Sequence, residues 1–345
     1  MIKIGILCPS EIAFRRFLPA LKNCEEFAYV GVAVADCDEW FGDTKPDEMV
    51  CREVLGKELE KAKSFQENYG GKIFLSYREL IESDEIDAVY IPLPPALHYK
   101  WAKTALLSKK HVMVEKPATT ENSKTEELIA IASEHGLALH ENYMFAFHRQ
   151  LEEISEMVAE KKLGDVRLYR INFGFPRRAK NDFRYAKKLG GGALLDCGGY
   201  TLKYASMLLG DTARIAYANL NYTDEFDVDL YGSAALVNDA GETVQVSFGM
   251  DNSYKCELEV WGSTATLQTG RVLTAPAGFV PSYTITDNQG VTNGTFSADD
   301  TFSKSLNRFL SCVNDEKTRT ENYEVIHRQA LLVDEFVKKA VSYGK

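Results

Sequence analysis

The chain has 345 residues, enough to bury a sizeable core and more than a single core usually serves, so two domains are expected. A composition of 45% hydrophobic and 26% charged residues is ordinary for a globular protein. The formal charge of -10 and pI near 5.3 argue against a nucleic-acid partner and leave any anionic substrate dependent on local basic residues.

Seven cysteines, at positions 8, 24, 37, 51, 197, 256 and 312, are odd in number and include no CxxC pair. That pattern reads as reduced thiols in a cytoplasm rather than a disulfide frame or a zinc site, and no metal site is expected. Pro9, Ser10 and Glu11 interrupt the N-terminal apolar run, unlike a signal peptide, and no run approaches about 18 apolar residues. A cytoplasmic protein with no membrane partner is the expectation.

In chain order, Ile2–Leu7, Tyr29–Ala35, a weak Lys72–Leu75, Ala88–Ile91, Val112–Glu115 and Leu137–Asn142 read as strands. Ile12–Lys22, Met49–Asn68, Tyr77–Glu82, Leu97–Ser108 and Ser123–His135 read as helices between them, and Trp40–Glu48 as a surface loop. Such alternation predicts an α/β domain over residues 1–145, a doubly wound parallel sheet of Rossmann type. Over residues 146–345 the pattern changes. A helix Leu151–Lys161 and strands Val166–Phe175, Ile215–Tyr222, Asp227–Val237, Thr243–Gly249, Lys255–Trp261 and Thr264–Gln268 are followed by helices Thr301–Asn314 and Glu321–Val341. This predicts an α+β domain with a large, mostly antiparallel sheet.

His111-Val112-Met113-Val114-Glu115-Lys116-Pro117 carries the most chemical information. Pro117 cannot continue the ladder, so a buried strand ends with the Lys116 ammonium at its carboxyl edge, where open parallel sheets bind ligands. The alternative is a charged strand exit facing water. A second constellation is Leu189-Gly190-Gly191-Gly192-Ala193-Leu194-Leu195-Asp196-Cys197-Gly198-Gly199-Tyr200. Asp196 and Tyr200 are four apart on one helix face, and Gly198 and Gly199 between them each cost about 1 kcal/mol relative to alanine. Tight packing alone explains the glycines but not the paired acid and phenol.

Together with Ile4-Gly5-Ile6-Leu7 and the proline-rich exit Ile91-Pro92-Leu93-Pro94-Pro95 before His98, these segments resemble the Gfo/Idh/MocA oxidoreductases along essentially the whole chain. Ile12-Ala13-Phe14-Arg15-Arg16-Phe17-Leu18-Pro19-Ala20 is similar to the branch that reduces nucleotide-linked keto-sugars, and the dihydrodiol dehydrogenase-like branch is the neighbouring comparison. The resemblance implies a nicotinamide cofactor on Cys8, Pro9, Ser10, Glu11, Ile12, Asp36, Pro92, Leu93, His98, Glu115 and Lys116. Cys8 and Ser10 stand where the family's phosphate-binding loop has glycines, and Pro95 where it usually has asparagine. A carboxylate at Asp36 predicts NAD(H) in preference to NADP(H), because it accepts from ribose hydroxyls and repels a 2′-phosphate. For His98 the alternative is a residue that only packs or caps.

The resemblance makes Lys116, Asp196 and Tyr200 the catalytic set. Tyr200 is the expected acid for reduction, Lys116 orients the substrate oxygen and stabilises alkoxide, and Asp196 binds a neighbouring hydroxyl. Arg177, Arg178, Lys180, Arg184 and Tyr185 precede the glycines and read either as a diphosphate or acidic-sugar clamp or as a solvated loop. Substrate contacts are thus expected at Lys116, Arg184, Tyr185, Asp196 and Tyr200. The leading function is hydride transfer to or from a sugar or sugar-derivative carbon, with a nucleotide-linked keto-sugar as the specific substrate class. The alternatives are a free polyol, aldose or diol dehydrogenase and a non-catalytic NAD-sensing regulator. A homodimer or homotetramer joined through the second domain is expected, since one face of its sheet needs cover.

Overall fold

The computed structural model describes residues 1–42 and 46–344, so part of the expected Trp40–Glu48 loop lies outside the described residues. The chain forms two compact units. The first comprises Met1–Thr119, Ser123–Asn142 and Ser305–Ile326, and the second Thr120–Asn122, Tyr143–Lys304 and His327–Lys345. Ser305–Ile326, assigned by sequence to the second domain, thus belongs with the first unit.

The first unit is built on a six-stranded parallel sheet, β1 (Ile2–Leu7), β2 (Phe27–Ala33), β3 (Lys72–Phe74), β4 (Ala88–Ile91), β5 (His111–Glu115) and β6 (Leu139–Asn142), in the order β3-β2-β1-β4-β5-β6. Continuous apolar strands are what such a sheet demands, because helices cover both faces. Ile4, Ile6, Val89, Ile91, Val112 and Val114 are all buried completely. The order reverses direction at β1 and β4, the switch point outside which ligands bind in open α/β sheets. A π-helical turn, Ala13–Phe17, runs into α1 (Leu18–Lys22). α2 (Cys37–Phe41), α3 (Glu48–Tyr69), α4 (Tyr77–Glu82), α5 (Pro95–Leu107) and α6 (Asn122–Glu134) supply the crossovers.

The second unit carries a nine-stranded sheet: β7 (Val166–Gly174), β8 (Arg214–Thr223), β9 (Phe226–Val237), β10 (Thr243–Gly249), β11 (Lys255–Gly262), β12 (Ala265–Gly270), β13 (Ser282–Asp287), β14 (Gly290–Thr295) and β15 (Ala340–Tyr343). Its order is β14-β13-β12-β11-β7-β10-β9-β8-β15. Pairing is antiparallel except at β7–β10 and β8–β15. α7 (Arg149–Ala159) and α8 (Gly199–Leu209) precede most of these strands, and α9 (Thr301–Asn314) and α10 (Glu316–Lys339) follow β14. One face of this sheet exposes Tyr217, Tyr231 and Trp261, each about half accessible.

Two sequence expectations need correction. β13, β14 and β15 were not anticipated: the first two form a polar, largely exposed hairpin at one end of the sheet, and β15 follows α10 without a turn signal. Cys37 and Cys51, read as free thiols, form a disulfide with their Cα atoms 6.1 Å apart, because α2 and the start of α3 come together in a way that residue spacing does not reveal.

Candidate active site

Cys8–Ile12, Asp36, Pro92–Leu93 and Glu115–Lys116 all leave the carboxyl ends of β1, β2, β4 and β5, so the parallel sheet gathers them along one edge. At the first turn Cys8 has φ +86°, the left-handed backbone for which glycine is normally used. Cys8 keeps that conformation despite its Cβ, and its thiol is pushed up to about 12 by burial, with Glu58 adding to the effect. A thiol so disposed is a packing group. Ser10 Oγ accepts from Ala13 N at 3.2 Å and caps the turn that follows. The loop therefore retains the glycine-type turn and a helix start behind it, whose first NH groups suit a diphosphate. This turn fits a dinucleotide, whose phosphates Cys8, Pro9, Ser10, Glu11 and Ile12 would hold.

Asp36 caps α2: its carboxylate accepts from Glu39 N at 2.8 Å while Glu39 accepts from Asp36 N at 3.0 Å. Glu39 also accepts from Tyr77 N and Arg78 N at 2.8 and 3.0 Å. The acidic end of β2 is thus tied into α4, while Asp36 remains exposed.

His98 is fully buried, with Nδ1 2.7 Å from Pro117 O and Nε2 2.7 Å from Leu93 O. Burial pushes its pKa down to about 4, a shift reinforced by the Lys116 charge and opposed by the two carbonyls. The neutral imidazole has one N–H, so it donates to one of these carbonyls while its other nitrogen packs against the second, between the exits of β4 and β5. His98, expected either beside the cofactor or as a packing residue, packs between the loops that carry Leu93 and Lys116. The Glu115 carboxylate is likewise turned inward, accepting from Tyr90 Oη and Asn142 Nδ2, each at 2.6 Å. Burial raises its pKa, against the opposing effects of Tyr90, Asn142 and Lys116. Its side chain anchors the strand end that carries Lys116. The Lys116–Pro117 bond is cis.

In the second unit, Leu194–Gly198 is a π-helical turn continuous with α8, which keeps Asp196 and Tyr200 on adjoining turns. The glycines between them have a packing cause. A Cβ at Gly198 would stand 3.0 Å from the Phe248 ring, and one at Gly199 would collide with the Tyr143 hydroxyl. Tyr200 lies among Tyr143, Phe145 and Phe173, with ring centroids 5.3–5.5 Å away. That aromatic setting fixes the ring while α8 sets its height.

The basic stretch is largely paired within the chain. Arg177 donates to Glu225 at 2.6 Å and Asp251 at 2.7 Å, and Lys180 lies 3.5 Å from Glu225. Arg184 Nε donates to Asp196 at 2.7 Å and its NH1 to Asp182 at 3.2 Å. Tyr185 is buried, its hydroxyl accepting from Arg178 N at 2.9 Å and donating to Met250 O at 3.2 Å. Arg184 and Tyr185, expected as substrate ligands, make these hydrogen bonds within the chain. Sequence reading missed Asp182, although its position two residues before Arg184, where it caps the 3-10 turn Phe183–Tyr185, was a legible capping signal.

Family models match both halves: the oxidoreductase family NAD-binding Rossmann fold over residues 27–143, and the GFO/IDH/MocA C-terminal domain over 151–268. A dTDP-3,4-didehydro-2,6-dideoxy-alpha-D-glucose 3-reductase of Actinomadura kijaniata is 36% identical over 333 residues, 96% of this chain and 94% of that protein. The chain belongs to the Gfo/Idh/MocA oxidoreductase family. As such it is a nicotinamide-dependent oxidoreductase acting on a CH–OH carbon of a sugar or sugar derivative. D-xylose 1-dehydrogenase (NADP(+)) 2 of Haloferax volcanii is 29% identical, covering 91% of this chain and 90% of that one. Among solved structures, KijD10, a 3-ketoreductase from Actinomadura kijaniata in complex with NADP and TDP-benzene, superposes with a TM-score of 0.89 at 34% identity, covering 100% of this chain and 99% of that one. The same protein has been solved with a tyrosine changed to phenylalanine and with a lysine changed to alanine or glutamate. Among the described residues no helix is long and apolar enough to cross a membrane.

Proposed function

We propose that this Gfo/Idh/MocA member is a reductase of a dTDP-linked keto-sugar, returning a ring ketone to an alcohol. End-to-end similarity to the Actinomadura reductase, rather than to one domain of it, carries this reading. The lysine and tyrosine varied in KijD10 are the residue types found at Lys116 and Tyr200. The cofactor supplies the hydride. In the proposed reaction Tyr200 gives a proton to the oxygen as it becomes an alcohol, Lys116 orients that oxygen and stabilises its negative charge, and Asp196 accepts from an adjacent hydroxyl.

For the cofactor we infer NADP(H), following the NADP held by KijD10. This reverses the preference for NAD(H) read from Asp36, whose carboxylate is engaged in capping α2. With Arg177 and Arg184 paired to carboxylates, Arg178 is the member of the basic stretch assigned to the sugar nucleotide's diphosphate. Its backbone is held by Tyr185, and its exposed guanidinium lies 5.2 Å over the Phe175 ring. A homodimer or homotetramer formed through the exposed face of the nine-stranded sheet goes with this reading.

Oxidation of NADPH followed by absorbance, with a dTDP-linked 3-keto-sugar set against free xylose, polyols and dihydrodiols, tests the assignment. Turnover confined to free polyols, aldoses or diols rejects it in favour of a dehydrogenase of unactivated substrates. No turnover with any of them, alongside tight cofactor binding, favours a regulator.

A further inference from the structure

Arg184 stands where a substrate clamp was expected, yet its geometry points inward. The side chain is about one-fifth accessible and Asp196 less so, and the Nε to Oδ2 distance between them is 2.7 Å. A second arm reaches Asp182, both of whose oxygens lie within 3.4 Å of NH1. The guanidinium also lies 4.6 Å over the Phe183 ring, which fixes its plane.

The backbone of Arg184 is fixed as firmly. Its carbonyl accepts from Gly192 N at 2.9 Å, and a Cβ at Gly191 would collide with that same oxygen. The glycine turn that launches the helix of Asp196 and Tyr200 is therefore folded directly against Arg184. Side chain and main chain of one residue thus connect the 3-10 turn Phe183–Tyr185 to both the start of that helix and its carboxylate. Asp196 has two oxygens. Arg184 donates to Oδ2, which restricts the orientation of the carboxylate plane.

We propose that Arg184 is a positioning residue for the reaction, acting through Asp196: it holds that carboxylate in the orientation that binds a substrate hydroxyl, with Asp182 holding Arg184 in turn. This rests on the catalytic role assigned to Asp196 above. An arginine that instead gripped a diphosphate would act independently of Asp196 and chiefly on substrate affinity.

A double-mutant cycle on the full-length protein separates these possibilities. R184M is expected to lower kcat by about 10-fold or more with little change in the KM for NADPH, and to add almost nothing once D196N is present. R184K, which keeps the charge but not the fork, is expected to recover part of the loss. Independent, multiplicative effects of R184M and D196N overturn the inference, as does R184M raising only the KM for the sugar nucleotide. If R184M does not fold, D182N serves in its place with the same cycle, a smaller loss of kcat and the same non-additivity expected. Near-normal turnover in D196N itself overturns the role of Asp196 and this inference with it, whereas an impaired D196N with additive R184M removes the inference alone.

Discussion

Asp36 and Glu39 hold one another at the carboxyl end of β2, each side chain accepting from the other's backbone NH. The carboxylate that would discriminate between the two nicotinamide dinucleotides is therefore also the cap of α2. Binding titrations should show NADPH held more tightly than NADH. Replacing Asp36 with serine, which preserves capping but removes the charge, should tighten NADPH several-fold and leave thermal stability within about 1 kcal/mol. Tighter binding of NADH by the unaltered protein would restore the expectation drawn from Asp36.

Lys116→Met and Tyr200→Phe should each reduce turnover by at least about 100-fold, the scale for losing a positioned proton donor or its electrostatic partner. Because neither substitution touches the turn at Cys8–Ile12 proposed to hold the phosphates, cofactor affinity should change little. Single-turnover measurements with the dTDP-linked substrate are the check, and near-normal rates in either variant would remove that residue from the reaction.

The buried imidazole of His98 predicts acid sensitivity. Its folded pKa of about 4 lies below the ordinary 6.5, so the neutral form is favoured by folding. The associated stability is present above pH 6.5 and is lost progressively as pH falls through 4, an effect of up to about 3 kcal/mol. His111, also lowered to about 4 by burial and by the Arg319 charge, acts in the same direction, since its Nδ1 accepts from Ala138 N. Denaturant unfolding measured between pH 7.5 and 4 should show this decline, and His98→Asn should flatten it. An unchanged slope in that variant would assign the sensitivity elsewhere.

Arg178→Met should raise the KM for the sugar nucleotide while leaving kcat nearly intact, the pattern expected when binding is lost equally from ground and transition states. Arg177→Met should instead act through stability, because its partners Glu225 and Asp251 are within the chain. The opposite pattern would move the diphosphate from Arg178 to Arg177.

Light scattering at micromolar concentration should report a dimer or tetramer. Trp261→Glu and Tyr231→Glu, both on the exposed sheet face, should shift it toward monomer without unfolding the chain. A monomeric unaltered protein would contradict this.

Much of the first unit was legible because a strand covered on both faces must be apolar throughout. Ile2–Leu7 and Ala88–Ile91 were read at their observed boundaries for that reason. β13 and β14 were not, since the residues of Ser282–Asp287 and Gly290–Thr295 are mostly polar and partly or wholly exposed. The chemistry divides in the same way. Motif positions such as Lys116, Asp196 and Tyr200 can be recognised from local sequence. Which basic residues remain available to a ligand depends on carboxylates far along the chain, as with Asp251 74 residues beyond Arg177. The surroundings of His98 were illegible for a related reason, both of its neighbours being backbone carbonyls that no side-chain pattern encodes.

The return of Ser305–Ile326 to the first unit has a consequence for synthesis. Asn322 donates to Leu139 O at 2.7 Å, Tyr323 donates to Leu137 O, and Ser305 donates to Asn142 at 2.8 Å, so residues near β6 find their partners more than 160 positions later. A ribosome that has made the whole parallel sheet has not yet made what seals its last strand. The nucleotide-binding unit must wait, incomplete, until nearly all of the second unit has emerged, and cutting the gene after residue 145 would yield a sheet with its final edge unsupported.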